Sequence, residues 1–186
     1  MKRLRLSGGA LLFAAGLNTA SVGAQLRWRA LERMAGGHAW QVHLALITPP
    51  WLLFLATLPG VRAEAALRFR PRRALGTAFV LAAGGLWLAS VRQIGGPRVL
   101  NGDAFGAVPV QAVASGPYRR LRHPIYDSYA LALAGAALVT GGAGYLALSL
   151  ESLIVLNLVE AAVEERIVRC PRPVIAVTDG SDLVRS

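Results

Sequence analysis

The chain has 186 residues, 54% hydrophobic and only 16% charged, with a formal net charge of +10 and a mean hydropathy of +0.47. A soluble domain carries about a quarter charged residues, so the deficit points to a membrane. The basic residues, all arginine except Lys2, sit between apolar runs, where membrane segments carry flanking charge; this argues against the soluble basic face that a nucleic-acid partner needs.

A membrane-spanning helix takes ~20 mostly apolar residues, and five stretches are candidates. The first, residues 6 to 26, is weakened by Asn18, Thr19 and Ser21. It has two readings. "MKRLR", an apolar stretch and "VGA" before Gln25 have the form of a cleavable signal, whereas the apolar chain that follows suits a retained helix. The second stretch, residues 43 to 61, contains Pro49 and Pro50, which predict a kink or a break. The third covers residues 74 to 91. Residues 95 to 117 are rich in Gly and Pro without a helical period, and "NGD" at 101 to 103 signals a turn.

The fourth stretch runs from about Tyr126 to Gly141 and the fifth from about Tyr145 to Val168. The link between them, "GGAG" at 141 to 144, is short enough to force an antiparallel hairpin. The fourth is rich in Ala and Gly, and small residues let helices approach closely in lipid, so it is predicted to lie inside the bundle. The expectation is an all-α, integral-membrane helical bundle of four to five transmembrane helices with a C-terminal helical hairpin. Residues 1–94 hold the N-terminal helices; residues 95–186 hold a loop, the hairpin and a short polar tail.

Two basic loops, 62 to 73 and 92 to 122, flank the third stretch and belong on opposite sides of the membrane. The positive-inside rule cannot satisfy both. If the hairpin dips outward from the cytosol, Arg119, Arg120, Arg122, Arg166, Arg169 and Arg172 all lie inside, and the loop at 62 to 73 is the exception.

Charge inside a membrane segment is costly and normally faces a bundle interior or a wet cavity. In the fifth stretch Asn157, Glu160 and Glu164 are spaced to share one helix face, with Glu165 one step round. The hairpin returns this end beside Arg119, Arg120, Arg122, His123 and Tyr126. Carboxylates and arginines then form two walls of one pocket. Elsewhere the signals are weaker. His38 and His43 are five apart, off a common helix face, and read as interface histidines. The four tryptophans read as belt or packing residues. Cys170 is the single cysteine, so no internal disulfide or CxxC pair is possible.

"SGPYRRLRHPIY" at 115 to 126, followed on the next helix by "EERI" at 164 to 167, resembles the isoprenylcysteine carboxyl methyltransferase family and its phospholipid methyltransferase relatives. The resemblance covers roughly residues 110 to 168. It implies a pocket for S-adenosylmethionine lined by Tyr118, His123, Pro124, Tyr126, Glu164 and Glu165, with Arg122 and Glu164 at the chemistry and no metal. It also implies a lipophilic acceptor, either a prenylcysteine-type carboxylate or a lipid amine, and a bacterial cytoplasmic membrane with the cofactor site facing the cytosol. Two departures stand out. Asp127 and Ser128 replace the family's apolar residue and Gly after the box tyrosine, and "CPRPVIAVTDGSDLVRS" does not match the family's aromatic-rich, basic closing segment. The unmatched tail motivates an alternative, a catalytically inactive membrane scaffold or binding protein that keeps the hairpin.

Overall fold

The computed structural model describes residues 2–64, 69–109 and 113–160. Among the described residues every element is helical. In chain order they are α1 (Lys2–Trp28), α2 (Ala30–Ala35), α3 (Ala39–Glu64), α4 (Arg73–Ile94), α5 (Gly96–Val99), α6 (Pro124–Thr140) and α7 (Ala143–Ile154). Short 3₁₀ turns occupy Gly36–His38 and Gly116–Arg119, and α7 continues as a π-helical segment, Val155–Glu160. Three helical stretches, Leu4–Trp28, Ala30–Val61 and Arg73–Ile94, are long and apolar enough to cross a membrane. The shorter α6 and α7 form the expected hairpin.

The chain alternates direction. Leu4 and Val61 both approach Gly144, so the start of α1, the end of α3 and the start of α7 share one end of the bundle. The turn after α6 lies there too, because the Phe69 amide donates to the Gly141 carbonyl (3.0 Å) and the Arg72 amide to the Leu138 carbonyl (2.9 Å). At the other end lie the loop after α4 and the start of α6. The two basic loops therefore sit at opposite ends of α4, as their spacing predicts.

Prolines do not break α3. The helix runs uninterrupted through Pro49, Pro50 and Pro59, so of the kink or break expected at Pro49 and Pro50 the break does not occur. Without water in a bilayer core, breaking a helix strands more backbone groups than the few bonds that the prolines remove. Two hydroxyls bond back into the same helix, Thr48 to the Leu44 carbonyl (2.7 Å) and Thr57 to that of Phe54 (2.8 Å), although the carbonyls that lose an amide partner to the prolines are those of Ala45, Leu46 and Leu55.

The polarity is that of a membrane bundle. Phe13, Leu52, Leu81 and Ile154 are exposed, whereas Ser7, Asn18, Gln25, His43, Ser128, Ser149 and Ser152 are buried. Buried polar groups need partners, and several find them on neighbouring helices. Ser7 donates to Thr57 (2.8 Å), Ser149 to the Ala130 carbonyl (2.8 Å) and Tyr145 to the Leu58 carbonyl (2.9 Å). His43 meets the Ser21 hydroxyl through Nδ1 (2.9 Å) and lies 4.6 Å from the Phe105 ring, an interface histidine as its position suggests.

Helix α4 packs directly on α6, backbone against backbone. A Cβ at Gly76 would fall 2.7 Å from the Gly135 carbonyl oxygen, and one at Gly135 would fall 2.9 Å from that of Gly76. Only glycine fits on both sides. Gly135→Ala is expected to cost about 1–3 kcal/mol, the range for overpacking. Gly84→Ala, where nothing lies within 4 Å, is expected to be neutral or to gain up to ~1 kcal/mol from helix propensity. Thermal unfolding of the two variants in detergent checks this; equal shifts would refute the close crossing.

Candidate functional site

The "GPYRRLRHPIY" box folds as a 3₁₀ turn, a short coil and the first turn of α6. Gly116 takes φ +57°, a left-handed conformation that glycine adopts without a Cβ penalty. Ser115 beside it accepts a hydrogen bond from the Gln93 side-chain amide at the end of α4 (2.7 Å). The box is thus tied to α4 as well as to α6. Tyr118 lies in the turn, half-buried, and Arg119, Arg120 and Arg122 are exposed. His123 precedes α6 and Pro124 opens it, a position where a missing amide proton costs nothing. Pro124 is fully buried.

His123 and Tyr126 form one unit, with ring centroids 5.7 Å apart and planes tilted by 21°. Tyr126 is buried and His123 half-buried. One step along, Asp127 lies within electrostatic reach of His123 and of the Asn157 side chain, and Val155 and Leu156 pack against Ile125 and Tyr126. Asn157 belongs to the π-helical segment, and such segments frequently occur at functional sites. The hairpin therefore brings the far end of α7 to the box, as the short link predicts. Glu164 and Glu165 lie outside the described residues.

Behind Tyr126 is a cavity of about 410 Å³ between α1, α3, α6 and the segment after α4. Its walls include Leu11, Phe54, Leu58 and Leu133, and Tyr126 is part of its lining. Thr48, Leu52 and Leu55 also line it and are exposed on the outer surface of α3, which gives the cavity a lipid-side edge. Asn18 and Asn101 supply polar lining; the Asn101 amide nitrogen donates to Asn18 Oδ1 (3.0 Å).

Sequence reasoning missed four of these residues as functional candidates. Gln93 looks like an ordinary helix end. Asn18 only weakens a membrane segment, Asn101 only marks a turn, and Asp127 registers as a departure from a pattern. The one available signal was polarity inside an apolar stretch, which for Asn18 was present.

Among known families, the chain matches phospholipid methyltransferase over residues 71–170, more than half of its length. No curated protein and no solved structure matches it significantly. The matched region starts at the foot of α4 and takes in the box and the hairpin, the elements that build most of this site, and its family is one of membrane methyltransferases. The chain belongs to the phospholipid methyltransferase family.

Proposed function

We propose that the protein is a membrane-embedded methyltransferase that uses S-adenosylmethionine on a lipophilic acceptor. One observation carries the reading: Tyr126 belongs both to the box and to the lining of an apolar cavity with a lipid-side edge. A cofactor site and an acceptor chamber then share a wall.

The residue types suit the cofactor. Its carboxylate calls for cations, which Arg119, Arg120 and Arg122 supply around His123. Its ammonium and ribose call for carboxylates, the role assigned to Glu164 and Glu165, with charge-assisted hydrogen bonds at each. Tyr118, His123, Pro124 and Tyr126 form the remaining wall. When bound, S-adenosylmethionine supplies a methyl group on a positively charged sulfur, and transfer to an acceptor lone pair leaves a neutral thioether. The protein's share is alignment, which is worth several kcal/mol when both partners are held. Arg122 is suited to orient a carboxylate acceptor. A lipid ammonium must first lose a proton, and Glu164 is the base assigned to take it. The end of the bundle that bears the box carries Arg27, Arg29, Arg33, Arg92 and Arg98 besides the box arginines, and the opposite end carries Lys2, Arg3, Arg5, Arg62, Arg70, Arg72 and Arg73; the cytosolic location assigned to the box therefore rests on Arg166, Arg169 and Arg172 joining its side.

Binding of S-adenosylmethionine to the purified chain, measured by calorimetry, tests the reading. Glu164→Gln and His123→Ala are each expected to weaken binding about tenfold or more, that is ~1.4 kcal/mol. Glu151→Gln and His38→Ala should stay within about twofold. Glu151 packs against Gly8 of α1 and His38 is exposed. His43, being fully buried, is no control. Absence of binding by the wild-type chain at millimolar cofactor would favour the inactive scaffold.

Gly116→Ala should act through the box alone. Its left-handed φ is unfavourable for alanine, and the new Cβ would lie 3.2 Å from Gln93 Oε1. A several-fold loss of S-adenosylmethionine affinity with a melting temperature lowered by only a few degrees is expected, since strain at one such position is worth about 1–2 kcal/mol. Unchanged affinity would show that this turn does not shape the site.

A further inference from the structure

The cavity also constrains what kind of acceptor it takes; the inference rests on the acceptor reading above. None of the residues described as lining it is Asp, Glu, Lys, Arg or His. A phosphodiester drawn into it would be a buried charge without a partner, which costs far more than an apolar wall returns. At about 410 Å³ the cavity lies in the lower half of the ~300–1,000 Å³ range of small-molecule sites. A diacyl lipid has two chains, each about half of a ~30 Å hydrocarbon core in length; a chamber of this volume takes one of them, and the second would stay outside, past the edge at Thr48, Leu52 and Leu55.

Thr48, Trp51, Tyr126, Tyr129 and Ser152 also line the chamber, but its pair of side-chain amides is built from two distant parts of the chain. Asn18 and Asn101 are 7% and 8% exposed, stand 83 positions apart and meet through one hydrogen bond. Asn101 holds φ +58°, which asparagine tolerates better than most residues. Its segment is pinned over α3 by the Trp40 indole, which donates to the Leu100 carbonyl (3.1 Å). The mutual bond uses one donor and one acceptor of the pair. Whichever way the two amides are turned, chemistry leaves a further N–H and a further carbonyl oxygen between them. A purely apolar chain filling the chamber would strip water from these groups and return nothing.

We propose that Asn18 and Asn101 are specificity-determining residues. They select a single-chain amphiphile whose uncharged polar linkage, an ester, amide or hydroxyl-bearing segment, bonds to the two amides. The apolar chain lies among Leu11, Phe54, Leu58 and Leu133, and the accepting group lies toward Tyr126 and the box.

Equilibrium binding to the full chain in detergent, with three labelled probes, tests this. N-oleoylethanolamine has one chain with an amide and a hydroxyl; 1-octadecene has a chain of similar length and no polar group; dioleoyl phosphatidylethanolamine has two chains and a phosphodiester. Saturable binding of the first is expected, at least about tenfold tighter than the second, with no displacement by the third. Asn101→Gly keeps the left-handed backbone and removes the amide, and Asn18→Ala removes its partner. Each should reduce the preference for N-oleoylethanolamine over octadecene to about threefold or less, with thermal unfolding in detergent confirming that the bundle is intact. Equal binding of the two single-chain probes by the wild-type chain, displacement by the diacyl lipid, or a preference that survives both substitutions in folded protein would overturn the proposal. The wild-type probe comparison decides it even if a variant does not fold. S-adenosylmethionine binding separates the two ideas: a wild-type chain that binds the cofactor but does not discriminate among the probes sinks the specificity role alone, and one that discriminates without binding cofactor sinks the methyltransferase reading instead.

Discussion

The contact between Gly76 and Gly135 fixes most of what matters in this protein. Two helix backbones approach until each carbonyl occupies the space where the other residue's Cβ would stand. In lipid there is little hydrophobic force to press helices together, so close backbone packing has to supply the association. That contact sets the register of α6 on α4. Both ends of α6 then become working parts. At one end the box runs into Pro124, and Gln93 of α4 reaches across to Ser115. At the other, Gly141 turns the chain under Phe69 and launches α7 back toward the box.

The second organising fact is the inverted polarity. Many leucines and Phe13 face outward, and serines, asparagines and a histidine are turned in among the buried Leu11, Leu148 and Phe54. Most of these polar groups knit one helix to the next. Ser149 to α6, Tyr145 to α3 and Ser21 to His43 are examples. The Asn18–Asn101 bond differs in that it borders a cavity. A site that handles both a highly charged cofactor and an apolar acceptor needs such an arrangement. The charged groups collect at the membrane face, where water screens them, and the apolar volume lies behind them. Tyr126, with an apolar ring and a polar tip, occupies the boundary between the two.

Much of this organisation is legible in the chain itself. The apolar runs and the arginines that bound them identify a membrane protein, because helix length and charge placement are dictated by the bilayer. "GGAG" dictates a hairpin because a link that short leaves no other route. His123, Pro124 and Tyr126 are marked by their motif, and their adjacency in sequence guarantees adjacency in space. Pro49 and Pro50 misled for a physical reason. The rule that proline breaks helices is learned in water, where freed carbonyls find another partner; in a bilayer core a break would strand more backbone groups than the prolines do, and α3 continues.

What the sequence determined by itself was therefore local or set by the solvent: helices, their ends, the turn between the last two, and a box of chemically suitable residues. Only the tertiary structure decided which distant groups meet. Asn18 and Asn101 are 83 residues apart, and neither spacing nor composition pairs them. Asp127 comes near Asn157 because the hairpin returns the far end of α7 to the start of α6, where Val155 and Leu156 pack on Ile125 and Tyr126. The cavity depends on the helices leaving volume between them beside Tyr126. Such contacts follow from helix rotation, crossing distance and the size of side chains on several helices at once, and no single stretch of chain contains that information.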